Sequence, residues 1–194
     1  MKIGFDIDDT LNDMRYTVTR MFNETLQREI TNEFVDTFPT LHIYDAFNLS
    51  REEGRLLWKQ LQSRIHEESL PLEYASNILN KLAKEGHEIF YLTAREDTLE
   101  IREATTEWLR KHDFPFKEAH FYIGMKDEEK AGIAQGLGLD LFFDDKPHVL
   151  SAFEGTGIRV YIKNTCYNQH ASYQRISSWS ELEKIVEEHE KDKQ

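Results

Sequence analysis

Apolar and polar positions change period several times along the chain, and each change marks an element. Lys2-Ile3-Gly4-Phe5 sets apolar side chains at alternate positions and then breaks into Asp6-Ile7-Asp8-Asp9-Thr10, a short strand and its exit. Behind it, Met14, Val18, Met21, Phe22, Thr25 and Leu26 recur at spacings of three and four, the stripe of an amphipathic helix. Thr31 to Asn48 is irregular and aromatic, a loop with room for one short helix. Ser50-Arg51-Glu52-Glu53 is a capping box, and Leu57, Trp58, Leu61 and Ile65 mark one face of the helix it starts, before Pro71 ends the region. Residues 13–70 therefore read as a mainly helical insertion directly behind the first strand.

From Leu72 the rhythm becomes helix, strand, helix, strand. Ala75, Ile78, Leu79, Leu82 and Ala83 form a helical stripe closed by Gly86, and Glu88 to Leu92 is a buried-strand run ending in Thr93-Ala94-Arg95. Asp97-Thr98-Leu99-Glu100 has the form of a second capping box, with Ile101, Thr105, Trp108 and Leu109 on the buried face that follows. Ala119 to Ile123 is a strand; a helix from Lys130 stops at Gly138; Leu139 to Phe143 is a fourth strand that ends in Asp144-Asp145. Pro147 opens a helix, Ile158 to Ile162 is a fifth strand, Ser178 to Glu181 caps the last helix, and the charged tail Glu187 to Gln194 is expected to fray. Strands alternating with helices predict an α/β fold: a doubly wound, mostly parallel sheet (residues 1–12 and 71–194) carrying residues 13–70 as a helical cap inserted after the first strand.

Composition narrows the function classes. The chain has 194 residues, a net charge of −12 and one cysteine, Cys166. An internal disulfide is ruled out, and a reducing cytoplasm is the expected location. The acidic balance argues against a nucleic-acid surface. No apolar run approaches the ~20 residues that cross a bilayer, and the N-terminus lacks the apolar region of a signal peptide.

The candidate chemistry lies at strand ends. Three carboxylates in four positions, Asp6, Asp8 and Asp9, repel one another, and a strand's period of two puts Asp6 and Asp8 on one side. A hard divalent cation such as Mg²⁺ would offset that repulsion. In a parallel sheet the ends after the four successive strands share one edge, which gathers Asp6/Asp8, Thr93, the Lys126–Lys130 region and Asp144/Asp145. Carboxylates to hold a metal, a hydroxyl and an ammonium to hold phosphoryl oxygens, and one carboxylate left as nucleophile suit phosphoryl transfer. The eight histidines are scattered without metal-ligand spacing.

The order Asp-x-Asp-x-Thr, then Thr, then Lys, then Asp-Asp resembles the haloacid dehalogenase-like hydrolase superfamily over essentially the whole chain. More narrowly, Gly4 to Thr10, the insertion ending near Leu70-Pro71-Leu72, Leu92 to Arg95 and Phe143 to Pro147 resemble the 5′(3′)-deoxyribonucleotidases and their bacterial nucleotidase relatives. The resemblance implies Asp6 as nucleophile, Asp8 as general acid/base, and Thr93 and Lys130 as phosphate holders, with Ala94 and Arg95 beside them. It also implies an Mg²⁺ site from Asp6, the main-chain carbonyl of Asp8 and a carboxylate of Asp144 or Asp145. The implied substrate is a small phosphate ester, a (deoxy)nucleoside monophosphate, with Phe34, Phe38, Tyr44 and Phe47 of the cap as candidates to stack on its base. The alternatives are a phosphatase of a sugar phosphate or phosphoglycolate, and a catalytically silent binding protein of the same fold.

Overall fold

The computed structural model describes residues 1–192. Six strands form one parallel sheet in the order β3-β2-β1-β4-β5-β6: β1 Lys2–Phe5, β2 Glu88–Thr93, β3 Phe121–Ile123, β4 Leu141–Asp144, β5 Arg159–Lys163 and β6 Arg175–Ile176. The first five are those expected, with ends moved by one or two residues. The two-residue β6 was not anticipated, since it is too short to show a period of its own. From β1 the chain winds to one edge through β2 and β3, then returns beside β1 at β4 and winds to the other edge. The reversal falls between β1 and β4, which is where open α/β sheets bind ligands beyond the strand ends.

Alternation along the strands divides the core into two layers. Ile3, Phe5, Ile89, Tyr91, Leu141 and Phe143 face the helices α4 (Ala75–Lys84), α5 (Leu99–Lys111) and α8 (Leu182–Asp192). Phe90, Leu92, Phe142 and Ile162 face α6 (Lys130–Leu137) and α7 (Pro147–Ser151). Gly4 belongs on the second face, where a Cβ would lie 2.4 Å from Leu139 and 2.8 Å from Phe142, so the absent side chain lets these large groups close over β1.

Residues 14–68 hold three helices, α1 (Met14–Leu26), α2 (Asn32–Thr37) and α3 (Arg51–Glu68), plus a 3₁₀ turn at Ile43–Phe47. They have a hydrophobic cluster of their own, built on Met14, Val18, Met21, Phe22, Val35, Ile43, Phe47, Leu57 and Ile65. The two connections to the sheet run side by side: Asp13 N–H donates to the Leu70 carbonyl (2.9 Å) and Leu72 N–H to that of Leu11 (2.8 Å), with an antiparallel bridge between Asn12 and Pro71. Trp108 of α5 donates its indole N–H to the Ser69 carbonyl (2.6 Å) and pins this stem to the sheet layer.

Two expected helix boundaries change. Thr98, not Asp97, caps α5: its hydroxyl accepts from Ile101 N–H (3.3 Å), while the Asp97 carboxylate is taken by Arg102 at 2.9 and 3.0 Å. The tail expected to fray from Glu187 is helical to Asp192, because Ile185, Val186 and His189 keep one face buried. Its last two residues, Lys193 and Gln194, lie outside the described residues.

Candidate active site

The sheet topology brings the strand-end residues together. Lys130, the first residue of α6 and fully buried, donates to Asp6 Oδ1 at 2.6 Å and to Asp144 Oδ2 at 2.8 Å. Oxygens of Asp6, Asp144 and Asp145 approach within 4.8 Å of one another. Burial of so many like charges is opposed by electrostatics. Burial pushes the Asp6 carboxyl up to about 7 against the pull of Lys130, and burial with the neighbouring Asp144 pushes Asp145 well above the carboxylate range. Burial alone would lower the Lys130 ammonium, but Asp144 and Asp6 hold it above its ordinary value. This oxygen-only donor set fits a hard divalent cation such as Mg²⁺, whose charge would relieve the repulsion. Lys126 stays exposed on the turn before α6, so of these two lysines it is Lys130 that enters the cluster; Lys146 adds a second positive charge beside Asp6 and Asp145.

Asp144 and Asp145 differ in their partners. Asp144 accepts from the Lys130 ammonium through one oxygen and from Lys146 N–H (2.9 Å) through the other. Among the described residues, the Asp145 side chain accepts hydrogen bonds only from hydroxyls, Thr10 Oγ1 at 3.2 Å and Tyr167 at 2.5 Å. Thr93 is buried at the end of β2, its oxygen accepting from Arg95 N–H (3.4 Å), and Ala94 is exposed on the cavity rim.

Arg95 and Asp8 are joined to each other. The Asp8 side chain turns away from the three-carboxylate cluster and takes the Arg95 guanidinium at 3.1 Å (Nε) and 2.5 Å (NH2), while NH1 bonds Thr105 at 2.9 Å. Burial would raise the Asp8 carboxyl, but Arg95 outweighs it and holds the group well below the usual range. Every Arg95 nitrogen is thus engaged within the protein, and the contact expected with phosphate is here a contact with Asp8. His66 lies beside this pair, kept neutral because burial and Arg95 push its imidazole down to about 3.

A cavity of about 490 Å³ opens above these groups. Its floor includes Asp6, Asp8, Thr93 and Asp145; its wall is Phe22, His42, Tyr44, Trp58, Gln62 and His66. Of the four aromatic candidates only Tyr44 is in this wall, stacked on His42 at 5.0 Å. Phe34 and Phe38 stack on each other at 5.3 Å outside it, and Phe47 packs against Phe22 in the hydrophobic cluster of residues 14–68. Trp58 and Phe22 were legible only as helix-face residues.

Comparison with known proteins agrees with this geometry in two steps. The fold is that of the haloacid dehalogenase-like hydrolases: a family member from Deinococcus radiodurans R1, solved with bound phosphate and sodium, superposes with a TM-score of 0.65 over 97% of this chain and 95% of its own, at 14% identity. Within that class, residues 1–191 match the family described as 5′ nucleotidase, deoxy (pyrimidine), cytosolic type C protein, and the chain belongs to that family. A Bacillus cereus protein named "Putative nucleotidase" is 44% identical over 187 residues, covering 96% of this chain and 98% of its own. An Oceanobacillus iheyensis protein of the same description is 37% identical over 184 residues, covering 94% and 97%. The protein is a phosphatase of this nucleotidase family. Among the described residues no helix is long and apolar enough to cross a membrane.

Proposed function

We propose that the protein hydrolyses small (deoxy)nucleoside monophosphates through a phosphoryl group carried transiently on Asp6, with Mg²⁺ as cofactor. The observation that carries this reading is the Asp6 carboxylate, buried at the end of β1, paired with Lys130 at 2.6 Å and open to a cavity walled by Tyr44 and Trp58. Asp6 attacks phosphorus as the bond to the leaving oxygen breaks, and Asp8 supplies the proton that oxygen needs. Asp8 then takes a proton from the water that attacks the aspartyl phosphate, releasing phosphate and restoring Asp6. Since Arg95 favours the ionised form of Asp8, proton transfer requires the carboxyl to swing off the guanidinium toward the leaving oxygen. Thr93 O–H, Ala94 N–H and Lys130 line the phosphoryl site.

Asp6, the Asp8 carbonyl and Asp145 are the ligands we assign to Mg²⁺. Asp144 is committed to Lys130 and the Lys146 amide, whereas the hydroxyls on Asp145 leave lone pairs free for a metal. When bound, the ion neutralises charge on the phosphoryl oxygens. Residues 13–70 act as the cap over the core formed by 1–12 and 71–194, excluding water and selecting the leaving group. A single, unpaired cysteine supports a cytoplasmic location.

The test is a screen of purified protein against ribo- and deoxyribonucleoside monophosphates, sugar phosphates, phosphoglycolate and an aryl phosphate, with Mg²⁺ and with chelator. Nucleotides should lead and chelator should abolish turnover. A lead for sugar phosphates or phosphoglycolate would replace the substrate and keep the mechanism. No turnover of any ester would favour a silent binding protein.

A further inference from the structure

One carboxylate in the floor has no part in the chemistry above. Asp9 adopts a left-handed backbone (φ 55°), which turns its side chain toward α1 and the loop after β5. Its Oδ1 accepts from Arg15 N–H at 2.8 Å, and its Oδ2 lies 3.3 Å from the Tyr167 hydroxyl. That hydroxyl is nearer still to Asp145 Oδ2, at 2.5 Å. A phenol has one proton to donate, and the shorter distance gives it to Asp145. Asn168, the next residue, donates to the Asp145 carbonyl at 2.8 Å, so the loop after β5 grips Asp145 by side chain and main chain together.

Arg15 carries the connection onward. Its guanidinium lies 5.1 Å from the Tyr167 ring centre and 5.8 Å from that of Phe38. It donates to the carbonyls of Phe38 (2.8 Å), Thr40 (2.9 Å) and Leu41 (3.2 Å), and among the described residues Nε has no hydrogen-bond partner. Burying a cation is unfavourable unless its contacts compensate, and among the described residues the hydrogen-bond partners of this one are all carbonyls of one loop. That loop leads directly into His42 and Tyr44 of the cavity wall.

We propose that Tyr167 and Arg15 are positioning residues, forming a strut that fixes the Asp145 carboxylate for the divalent cation at one end and the 38–44 wall segment for the leaving group at the other. The proposal rests on the functional reading above. Removing the phenolic O–H leaves Asp145 with one hydroxyl partner, and its carboxylate gains rotational freedom that metal binding must then remove. Outer partners of metal ligands typically govern metal affinity by 10–100-fold. Arg15 also lines the cavity beside Leu41 and His42, and removing its side chain frees the loop while Asp6, Asp144 and Lys130 keep their mutual bonds.

The test uses two variants and two substrates. For Tyr167→Phe, the Mg²⁺ concentration giving half-maximal turnover should rise roughly tenfold or more, with kcat recovered at saturating Mg²⁺. The Mg²⁺ concentration needed to raise the thermal unfolding midpoint should move by the same factor. For Arg15→Met, with Arg15→Lys as the milder companion, KM for the nucleotide should rise several-fold more than KM for an aryl phosphate, and the Mg²⁺ midpoint should stay close to the parent's. A Mg²⁺-dependent parent whose Tyr167→Phe variant has the same midpoint in both measurements overturns the strut alone. Equal KM effects on nucleotide and aryl phosphate in both Arg15 variants remove its wall end. A parent indifferent to Mg²⁺ in turnover and in unfolding overturns the metal reading and the strut's metal end with it.

Discussion

The floor and the wall of the cavity are built on opposite terms. The floor is charged, buried and tied: Asp6 and Asp145 line it after β1 and β4, and the buried Lys130 and Asp144 back it, joined to them and to neighbouring elements by hydrogen bonds. The wall is aromatic and amide-bearing and is drawn from two helices, α1 and α3, and the 38–44 segment: Phe22 and His66 are buried, Tyr44, Trp58 and Gln62 half-buried and His42 exposed. Rigid sheet edges suit a reaction that demands fixed geometry on one phosphoryl group. A wall carried on a separate hydrophobic cluster can change its selection without disturbing the floor. The two regions should therefore fail differently, and that difference is measurable.

The largest effect belongs to the floor. Asp6→Asn keeps the shape and the Lys130 contact through its carbonyl but cannot attack phosphorus. Turnover of every substrate should fall by more than ~10³-fold, aryl phosphate and nucleotide alike, with the unfolding transition still cooperative. Phosphate release within tenfold of the parent would take the nucleophile role from Asp6.

Next comes Asp8, which links floor and cavity. Asp8→Asn should cost about 10²–10⁴-fold on nucleotides and alkyl phosphates, and less on aryl phosphates, whose leaving oxygen needs little protonation. Equal losses on both classes would mean that Asp8 serves Arg95 and the fold rather than the leaving group.

The sequence disclosed the floor far better than the wall, for a physical reason. A buried parallel strand is an apolar run, so a polar residue at its end stands out, and parallel topology fixes all such ends on one edge. Asp6, Thr93 and the Asp144-Asp145 pair were legible in this way, and Lys130 only as one of the lysines in the Lys126–Lys130 region after β3. Trp58 recurs with Leu57, Leu61 and Ile65 at helical spacing, the pattern of an ordinary packing face; only the cavity shows that its ring faces open space. Phe34 and Phe38 looked equally apt but satisfy each other by stacking. Arg95 was read by its nearness to Thr93, yet local sequence cannot show that Asp8, on another strand's exit, offers it a carboxylate. Tyr167 and Arg15 gave no signal, because one lies in an irregular loop and the other in the polar phase of an amphipathic helix.

A smaller effect is expected from the wall. Trp58→Ala should lower kcat/KM for the preferred nucleotide by an amount matching the loss of roughly 1–3 kcal/mol of base stacking, about five- to 150-fold, and leave aryl phosphate turnover near the parent's. Tyr44→Ala should act in the same direction. Should both variants slow the aryl phosphate as much as the nucleotide, the wall would be structural and the selection would lie elsewhere.

The smallest effect separates wall shape from wall chemistry. Gly54 lies inside α3 with no positive φ, so nothing in its own backbone demands glycine. What demands it is Tyr44: a Cβ would stand 2.3 Å from the ring's Cγ and 2.6 Å from its Cβ and Cδ1. Gly54→Ala gains about 1 kcal/mol of helix propensity and loses about 1–3 kcal/mol to overpacking, so net stability should drop by no more than ~2 kcal/mol. Tyr44 sits in the short 3₁₀ turn Ile43–Phe47 rather than in a long helix, and that turn should yield before α3 does. The ring then moves while every wall side chain remains present. The expected outcome is a several-fold rise in KM for the nucleotide with kcat nearly retained, and an aryl phosphate that reacts as before. A variant that loses stability but keeps its nucleotide KM would show that the position of Tyr44 over Gly54 serves the packing of the cap and not the recognition of the leaving group.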